Sequence, residues 1–111
     1  LDFDAQVAWP GYDWMGVAKA ALESLARYLA RELGPSGIRV NLIAAGFVDT
    51  PLSAQLLGDD LDARRDQLRA TLPTGRVVGP ADVAALAIHI MSNTALTGAT
   101  YDIDGGQQLV S

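Results

Sequence analysis

The sequence has no cysteine and a single histidine, His89, among its 111 residues. Disulfide bonds and thiolate metal sites are therefore excluded, and one imidazole cannot build a cluster of histidine ligands. We predict no metal site. His89 falls inside a helical pattern and is interpreted as a surface or boundary residue. A chain without cysteine fits a reducing compartment, so we expect a cytoplasmic protein.

Long apolar runs and an excess of positive charge are also missing. No apolar stretch approaches the ~20 residues of a membrane-spanning helix, and no secretory signal pattern is visible. The formal net charge is −5 at pH 7, so we expect neither nucleic acid nor an anionic membrane as a main partner. The hydrophobic fraction of 50% is enough for one core and one domain.

The stretch from Tyr12 to Lys19, YDWMGVAK, has the clearest chemical meaning. Apolar residues recur after it at three- and four-residue spacings, which predicts a long helix from Tyr12 to Leu33. On that helix Tyr12 and Lys19 lie on nearly the same side, about 10 Å apart. A phenol and an ammonium so placed can contact two ends of one ligand. The spacing alone also fits a boundary tyrosine and a lysine whose stem covers apolar surface.

Helical patterns alternate with short apolar runs over the rest of the chain. A Gly-Pro-Ser-Gly sequence at 34–37 predicts the end of the long helix. The run at 38–44 predicts a parallel strand buried on both faces, and the run at 99–103 predicts another strand before the Asp104–Gly106 turn. This order predicts an α/β fold in which the two strands are parallel.

The segment 51–72 has a helical pattern in two pieces, broken near Gly58. Its leucines are apolar enough to line an acyl groove, and they equally fit the cores of two amphipathic helices; they are Leu52, Leu56, Leu57, Leu61 and Leu68. The basic cluster Arg64, Arg65 and Arg69 could meet an acidic partner, but a solvated helix face is the preferred interpretation.

Together these motifs resemble the short-chain dehydrogenase/reductase superfamily. Within it they are most similar to the NADH-dependent enoyl-acyl-carrier-protein reductases of bacterial fatty-acid synthesis, actinobacterial versions especially. That branch has Tyr-x6-Lys where most of the superfamily has Tyr-x3-Lys; Tyr12 and Lys19 fit the first pattern, and Met15 breaks the second. The resemblance runs the full length and also rests on Asp2-Phe3-Asp4, Gly37-Ile38-Arg39-Val40-Asn41, Ala45-Gly46 and Asp104-Gly105-Gly106.

The resemblance implies the fold, which would be the C-terminal half of a Rossmann-type doubly wound parallel sheet. We therefore expect residues 1–111 to be part of one such domain, with the glycine-rich dinucleotide-binding half preceding Leu1. Residues 51–72 would form a substrate-binding lid. The resemblance also implies a homo-oligomer, which is a tetramer in the family.

The resemblance also implies the roles of individual residues. Tyr12 and Lys19 would be catalytic: the phenol would donate a hydrogen bond to the thioester oxygen, and the ammonium would bind the nicotinamide ribose. The cofactor site would comprise Lys19, Gly46, Val48, Thr50 and Phe3, and the substrate site Phe3, Tyr12, Met15, Leu52 and Leu56. The family usually has proline where this chain has Phe47, so the local path of that turn stays open.

The implied reaction is transfer of a hydride from NADH to the β-carbon of a trans-2-enoyl thioester carried by acyl carrier protein or coenzyme A. NADPH is not excluded as the cofactor. One alternative is a related short-chain reductase acting on a ketone or alcohol, which a tyrosine at the position of Met15 would have favoured. Another is a non-catalytic module that uses the long helix for assembly. The 111-residue chain alone is expected not to turn over NADH, because it contains no glycine-rich strand–turn–helix unit.

Overall fold

The computed structural model describes residues 13–110. Its helices and strands are α1 (Asp13–Leu33), β1 (Leu42–Ala45), α2 (Pro51–Leu57), α3 (Leu61–Thr71), α4 (Pro80–Ser92) and β2 (Thr100–Ile103). The strands β1 and β2 pair in parallel, with Leu42 opposite Thr100 and Ala45 opposite Ile103. A parallel pair requires a crossover connection, which α2, α3 and α4 supply here. The predicted α/β fold with parallel strands is confirmed.

Helix α1 ends where its sequence predicts. Residues 34–36 continue it as a 3-10 turn, and Gly37 then adopts a left-handed φ of 77°. Its N–H donates to Gly34 O at 2.9 Å, and the N–H of Ile38 donates to Leu33 O at 3.2 Å. A left-handed residue at this position satisfies carbonyls that the helix end would leave unpaired, and glycine adopts it without a Cβ clash.

The buried face of α1 is narrow. Ala26 and Ala30 are buried, and the Cβ of Ala30 lies 3.6 Å from the point where a side chain on Gly98 would begin. Leu22 and Leu25, which belong to the predicted apolar stripe, are about half exposed. Small residues on the inner face let the helix approach the turn before β2 closely, while the larger apolar residues remain at the surface.

Strand β1 begins four residues later than the predicted strand at 38–44, so that boundary was wrong. Two polar side chains explain the difference. Arg39 donates from Nη1 to Ile90 O at 2.9 Å and Leu96 O at 2.8 Å, and from Nη2 to Met91 O at 2.9 Å. Asn41 donates from Nδ2 to Leu96 O at 2.9 Å. Residues 39–41 therefore bind the end of α4 and the turn after it, and the ladder starts only at Leu42.

The burial of β1 also differs from the expectation. Ala44 is buried, whereas Leu42, Ile43 and Ala45 are only partly covered by the residues that the structure describes. A central parallel strand is covered on both faces and paired along both edges. Here β2 occupies one edge of β1, so the strand is half-buried rather than buried on both faces.

The segment 51–72 forms two helices, as predicted, and they separate at Gly58. Gly58 has a left-handed φ of 53°, and a 3-10 turn over Gly58–Asp60 joins α2 to α3. At the start of α2, Thr50 Oγ1 accepts from the N–H of Ser53 at 3.2 Å, and Ser53 Oγ accepts from the N–H of Thr50 at 2.9 Å. This reciprocal capping box fixes the first turn of α2.

Helix α4 begins at Pro80, with an acidic cap in its first turn. Asp82 Oδ2 accepts from the N–H of Gly79 at 2.9 Å. The guanidinium of Arg76 donates to both carboxylate oxygens of Asp82, at 2.8 and 2.6 Å. Within residues 13–110, no helix is both long and apolar enough to cross a membrane.

This cap makes stability depend on pH. The hydrogen bonds from Arg76, and next the one from the Gly79 N–H, lower the pKa of Asp82 well below its ordinary value. A carboxyl whose pKa falls on folding stabilises the fold above its unfolded pKa of about 3.9 and loses that contribution as the pH falls through the folded pKa. We expect Asp82→Asn to lower the melting temperature at pH 7, with the difference from wild type shrinking as acid is added.

Thermal melts between pH 7 and pH 2 measure this effect. The matched control is Asp59→Asn, at an exposed position in the turn between α2 and α3, which should leave the melting temperature almost unchanged. Equal losses in both variants at pH 7, or a difference for Asp82→Asn that does not vary with pH, would contradict the role of the Arg76–Asp82 pair.

Candidate active site

Three turns meet at the carboxyl end of the two-stranded sheet. The first is residues 45–50, here called the cofactor loop because the family resemblance implies cofactor contacts for Gly46, Val48 and Thr50; it leaves β1. The second is residues 104–107, after β2, and the third is residues 72–75, after α3. In open α/β sheets, ligands bind just outside the carboxyl ends of the strands. This edge of the sheet is therefore where a bound ligand is expected.

Gly46 is the point of closest approach between the first two turns. A Cβ on Gly46 would lie 2.5 Å from Oε1 of Gln107 and 2.9 Å from Cβ of Asp104. The next residue, Phe47, donates its N–H to Oε1 of Gln107 at 3.2 Å. Gln107 is only 8% exposed, so a buried side-chain amide fixes the start of the cofactor loop. No residue other than glycine fits at position 46 without moving this contact.

The Asp104–Gly106 turn joins the second and third turns. Oδ1 of Asp104 accepts from the N–H of Gly106 at 2.9 Å, and Gly105 and Gly106 have φ of 66° and 89°. Gly105 O accepts from the N–H of Thr74 at 3.2 Å, while a side chain on Gly106 would begin 2.7 Å from Pro73 Cγ. The Asp-Gly-Gly sequence therefore makes a tight turn that contacts the turn after α3.

The remainder of the cofactor loop is anchored on one side and open on the other. Val48 forms a parallel bridge with Val78, through a hydrogen bond from the N–H of Asp49 to Val78 O at 2.9 Å. Neither the N–H nor the C=O of Val48 has a hydrogen-bond partner within residues 13–110. The capping box engages Thr50 Oγ1 as an acceptor, which leaves its O–H as a donor. The loop can thus offer two donors and one acceptor.

Lys19 lies on α1 beside β1. It borders a cleft between this helix and the sheet that is also lined by Leu22, Glu23, Leu42, Ile43, Ala44 and Thr100. Ala44 is separated from Gly46 by a single residue, so Lys19 is close to the start of the cofactor loop along the strand. Met15, one turn earlier on α1, is about half exposed. Leu52 and Leu56 are exposed on α2, directly after the loop.

Two residues predicted for the site lie outside the described residues. Tyr12 and Phe3 fall in the stretch before Asp13. The placement of Tyr12 on the same side of α1 as Lys19 therefore stays a prediction, as does the position of Phe3 beside the cofactor. The structure brings Gly46, Val48 and Thr50 together in one loop at the expected end of the sheet.

Sequence analysis did not identify three residues that contact the cofactor loop: Gln107, Arg64 and Arg65. The preferred interpretation of the basic cluster as a solvated helix face was wrong for Arg65. Its Nε and Nη2 donate to Oδ2 and Oδ1 of Asp49 at 2.9 and 3.0 Å, and these bonds raise its pKa. The guanidinium of Arg64 lies 5.8 Å from the centre of the Phe47 ring. Only Arg69 fits the solvated interpretation, since it pairs with Asp66 at the surface.

No local signal identifies these contacts. Asp49 and Arg65 are sixteen residues apart, and Phe47 and Gln107 are sixty apart, so no helical or strand spacing relates them. The position of Gln107, directly after the Gly-Gly turn, is the sequence feature that comes closest to such a signal. Among the described residues there is no group of three His, Asp or Glu side chains that could hold a metal ion.

Comparison with known proteins decides the family. A family model described as enoyl-(acyl carrier protein) reductase matches residues 2–108. The chain belongs to this family of short-chain dehydrogenases/reductases.

The relatives in this family are named for more than one enzymatic activity. An NADH-dependent enoyl-[acyl-carrier-protein] reductase from Rickettsia bellii is 40% identical over 97% of the chain and 41% of its own length. A 4-formylbenzenesulfonate dehydrogenase from Comamonas testosteroni is 36% identical over 90% of the chain and 41% of its own length. The crystal structure of a small-chain dehydrogenase in complex with NADPH superposes with a TM-score of 0.84 and 31% identity, over 96% of this chain and 48% of that one.

These matches confirm the Rossmann-like fold that the resemblance implied. The chain spans 41% of the length of the two curated relatives and 48% of the solved chain. It therefore corresponds to less than half the length of each of these three relatives.

The close approach at Gly46 leads to a testable difference between two glycines. A methyl group at Gly46 must displace Gln107 or the Asp104 backbone, and over-packing of this kind costs ~1–3 kcal/mol. At Gly34 nothing lies within 4 Å of the added Cβ, so Gly34→Ala should be neutral or stabilise by about 0.4–1 kcal/mol. Urea unfolding of both variants measures the change. A Gly46→Ala protein as stable as Gly34→Ala would contradict the proposed contact between the turns.

Proposed function

We propose that the full-length protein is an enoyl-acyl-carrier-protein reductase that uses NADH to reduce the trans-2 double bond of an enoyl thioester. The carrying observation is the position of Lys19. It borders the cleft over β1, the strand that leads into the cofactor loop, and it follows Tyr12 with the seven-residue spacing of the enoyl reductases. The family match and the name of the Rickettsia bellii relative support this proposal.

The cofactor loop suits a nicotinamide. A carboxamide presents one acceptor oxygen and an amino group with two donors, and so it needs both donors and acceptors from the protein. The backbone N–H and C=O of Val48 and the hydroxyl of Thr50 supply that set within one loop. Lys19 would hold the ribose hydroxyls through its ammonium. Bound NADH supplies the hydride, and the residues of this chain position the ring and the thioester.

Tyr12 would stabilise the charge that the reaction creates. When hydride adds to the β-carbon, the electron pair of the double bond moves toward the thioester oxygen, and an enolate forms before the α-carbon takes up a proton. A phenol that donates to this oxygen interacts more strongly as its charge grows, which lowers the barrier rather than only binding the substrate. Phe3 and Met15 would border the reacting carbons, and Leu52 and Leu56 would contact the acyl chain, carried by acyl carrier protein or coenzyme A.

A second candidate is a short-chain dehydrogenase that acts on an alcohol or ketone with NAD(H) or NADP(H). The similarity to the Comamonas testosteroni dehydrogenase over most of the chain favours it, and the solved dehydrogenase relative holds NADPH. Met15 is the observation against it, because a tyrosine at that position would complete the more common Tyr-x3-Lys pattern. Reduction of a crotonyl or longer enoyl thioester, compared with oxidation of simple alcohols, separates the two candidates.

We also propose that the protein forms a homo-oligomer through α1. Apolar residues on its outer face follow three- and four-residue spacings and are exposed: Trp14 (85%), Val17, Ala21, Leu25 and Tyr28. Such a stripe on an exposed helix is typical of an interface. We expect Val17→Glu to shift the protein toward monomer in sedimentation velocity, whereas Ile88→Glu on α4 should not; unchanged sedimentation of Val17→Glu would contradict an interface on α1.

Substitutions of Tyr12 and Lys19 test the proposed activity. In the full-length protein, Tyr12→Phe should slow enoyl reduction roughly 5- to 150-fold, because it removes a hydrogen bond worth about 1–3 kcal/mol at the charged oxygen. Lys19→Ala should chiefly raise the KM for NADH. Steady-state kinetics with an enoyl thioester measure both. Tyr28→Phe, on the outer face of α1, is the control and should retain wild-type rates.

Two results would contradict this reading. Unchanged turnover in Tyr12→Phe would remove the phenol from the mechanism. Clear NADH oxidation by a homogeneous monomer of these 111 residues would contradict the expectation that a separate glycine-rich unit must bind the pyrophosphate.

A further inference from the structure

We propose that Arg65 is a positioning residue that, through Asp49, holds the cofactor loop in the conformation that binds NADH. This inference rests on the proposed function, since it takes Val48 and Thr50 as the residues that contact the nicotinamide. Asp49 lies between these two residues in the sequence. Its side chain is therefore the direct means of fixing both neighbours.

The Asp49–Arg65 pair has the geometry of a specific contact rather than of a chance surface pair. Two parallel hydrogen bonds of 2.9 and 3.0 Å join the two side chains, and the side chains are only 30% and 29% exposed. A two-point contact between guanidinium and carboxylate fixes orientation as well as distance, and partial burial protects it from water and salt. Exposed single-point pairs contribute far less.

A second contact from the same helix holds the other side of Val48. The guanidinium of Arg64 lies 5.8 Å from the centre of the Phe47 ring, a distance at which a cation and an aromatic face attract each other. Consecutive arginines of α3 thus contact Phe47 and Asp49, one on each side of Val48.

The remaining anchors of the loop come from other parts of the fold. Phe47 N–H is bound by Gln107 and Asp49 N–H by Val78 O. Neither bond involves α3, and both leave the direction of the Asp49 side chain unset. The Asp49–Arg65 pair, together with the weaker Arg64–Phe47 contact, therefore makes the cofactor loop and the second helix of the 51–72 segment move together.

The pair predicts a thermodynamic link between cofactor and α3. If NADH binds only when Val48 and Thr50 are in place, then a change that loosens α3 must weaken the binding of NADH. Bound NADH must in turn stabilise the position of α3. Lysine cannot replace Arg65 fully, because an ammonium is a single point of charge without the planar fork. The expected order of NADH affinity is wild type, then Arg65→Lys, then Arg65→Gln.

The test is NADH titration of the purified full-length protein, followed by cofactor fluorescence. We expect Arg65→Gln and Asp49→Asn each to weaken the Kd about tenfold, a typical size for coupling between two contacts. The double variant should be no weaker than either single variant, because each acts through the other. The control is Arg69→Gln, which makes the same charge change on α3 at a 2.9 Å pair whose side chains are 54% and 77% exposed; its Kd should stay within about twofold.

Several outcomes would overturn the proposal. They are an unchanged Kd in Arg65→Gln, an equal loss in Arg69→Gln, and additive losses in the double variant. If the wild-type protein binds neither NADH nor NADPH, the proposed function fails, and hydrogen exchange then decides the structural claim. Faster exchange of the Asp49 amide in Arg65→Gln than in Arg69→Gln supports the positioning role, and equal exchange in both overturns it.

Discussion

The arrangement of the site depends on the lack of space at Gly46. With a hydrogen atom in place of a side chain, the end of β1 can lie against Gln107 and Asp104, which follow β2. That contact brings the loops after two neighbouring parallel strands together at one edge of the sheet. A Cβ here would push the loops apart, and the amide of Gln107 could no longer bind the N–H of Phe47.

From this contact the rest of the site follows in steps. Because the start of the cofactor loop is fixed on Gln107, Val48 lies beside Val78 and its backbone groups remain open. Because Asp104 and the two left-handed glycines after it form a tight turn, the same turn also contacts the turn after α3 at Thr74. Helix α3 in turn reaches back to Asp49 through Arg65. Each turn is thus restrained by the other two, which is a form of preorganisation for a ligand.

The sequence predicted what depends on neighbouring residues. The C-terminal end of α1, the break at Gly58 and the parallel order of the strands all follow from caps, breakers and periodicity, and the structure confirms them. The predicted start of β1 was wrong because Arg39 and Asn41 bind carbonyls more than fifty residues away in the sequence. The contact of Arg65 with Asp49 was not predicted for the same reason, because the two residues are distant in the sequence. For the site, the loop residues Gly46, Val48 and Thr50 could be found only through their family resemblance, since no spacing rule distinguishes them.

The two helices of the 51–72 segment are restrained unequally, which bears on how a substrate could enter. Helix α3 is anchored by the buried Leu68, by the neighbouring Leu72 and by Arg65. Helix α2 has only intermediate or exposed residues and is held mainly by its capping box at Thr50. Local opening costs least free energy where few apolar contacts are lost. A left-handed glycine, Gly58, separates the two helices and gives the backbone a place to bend. A ligand that displaced α2 would therefore leave α3, and with it the restraint on the cofactor loop, in place.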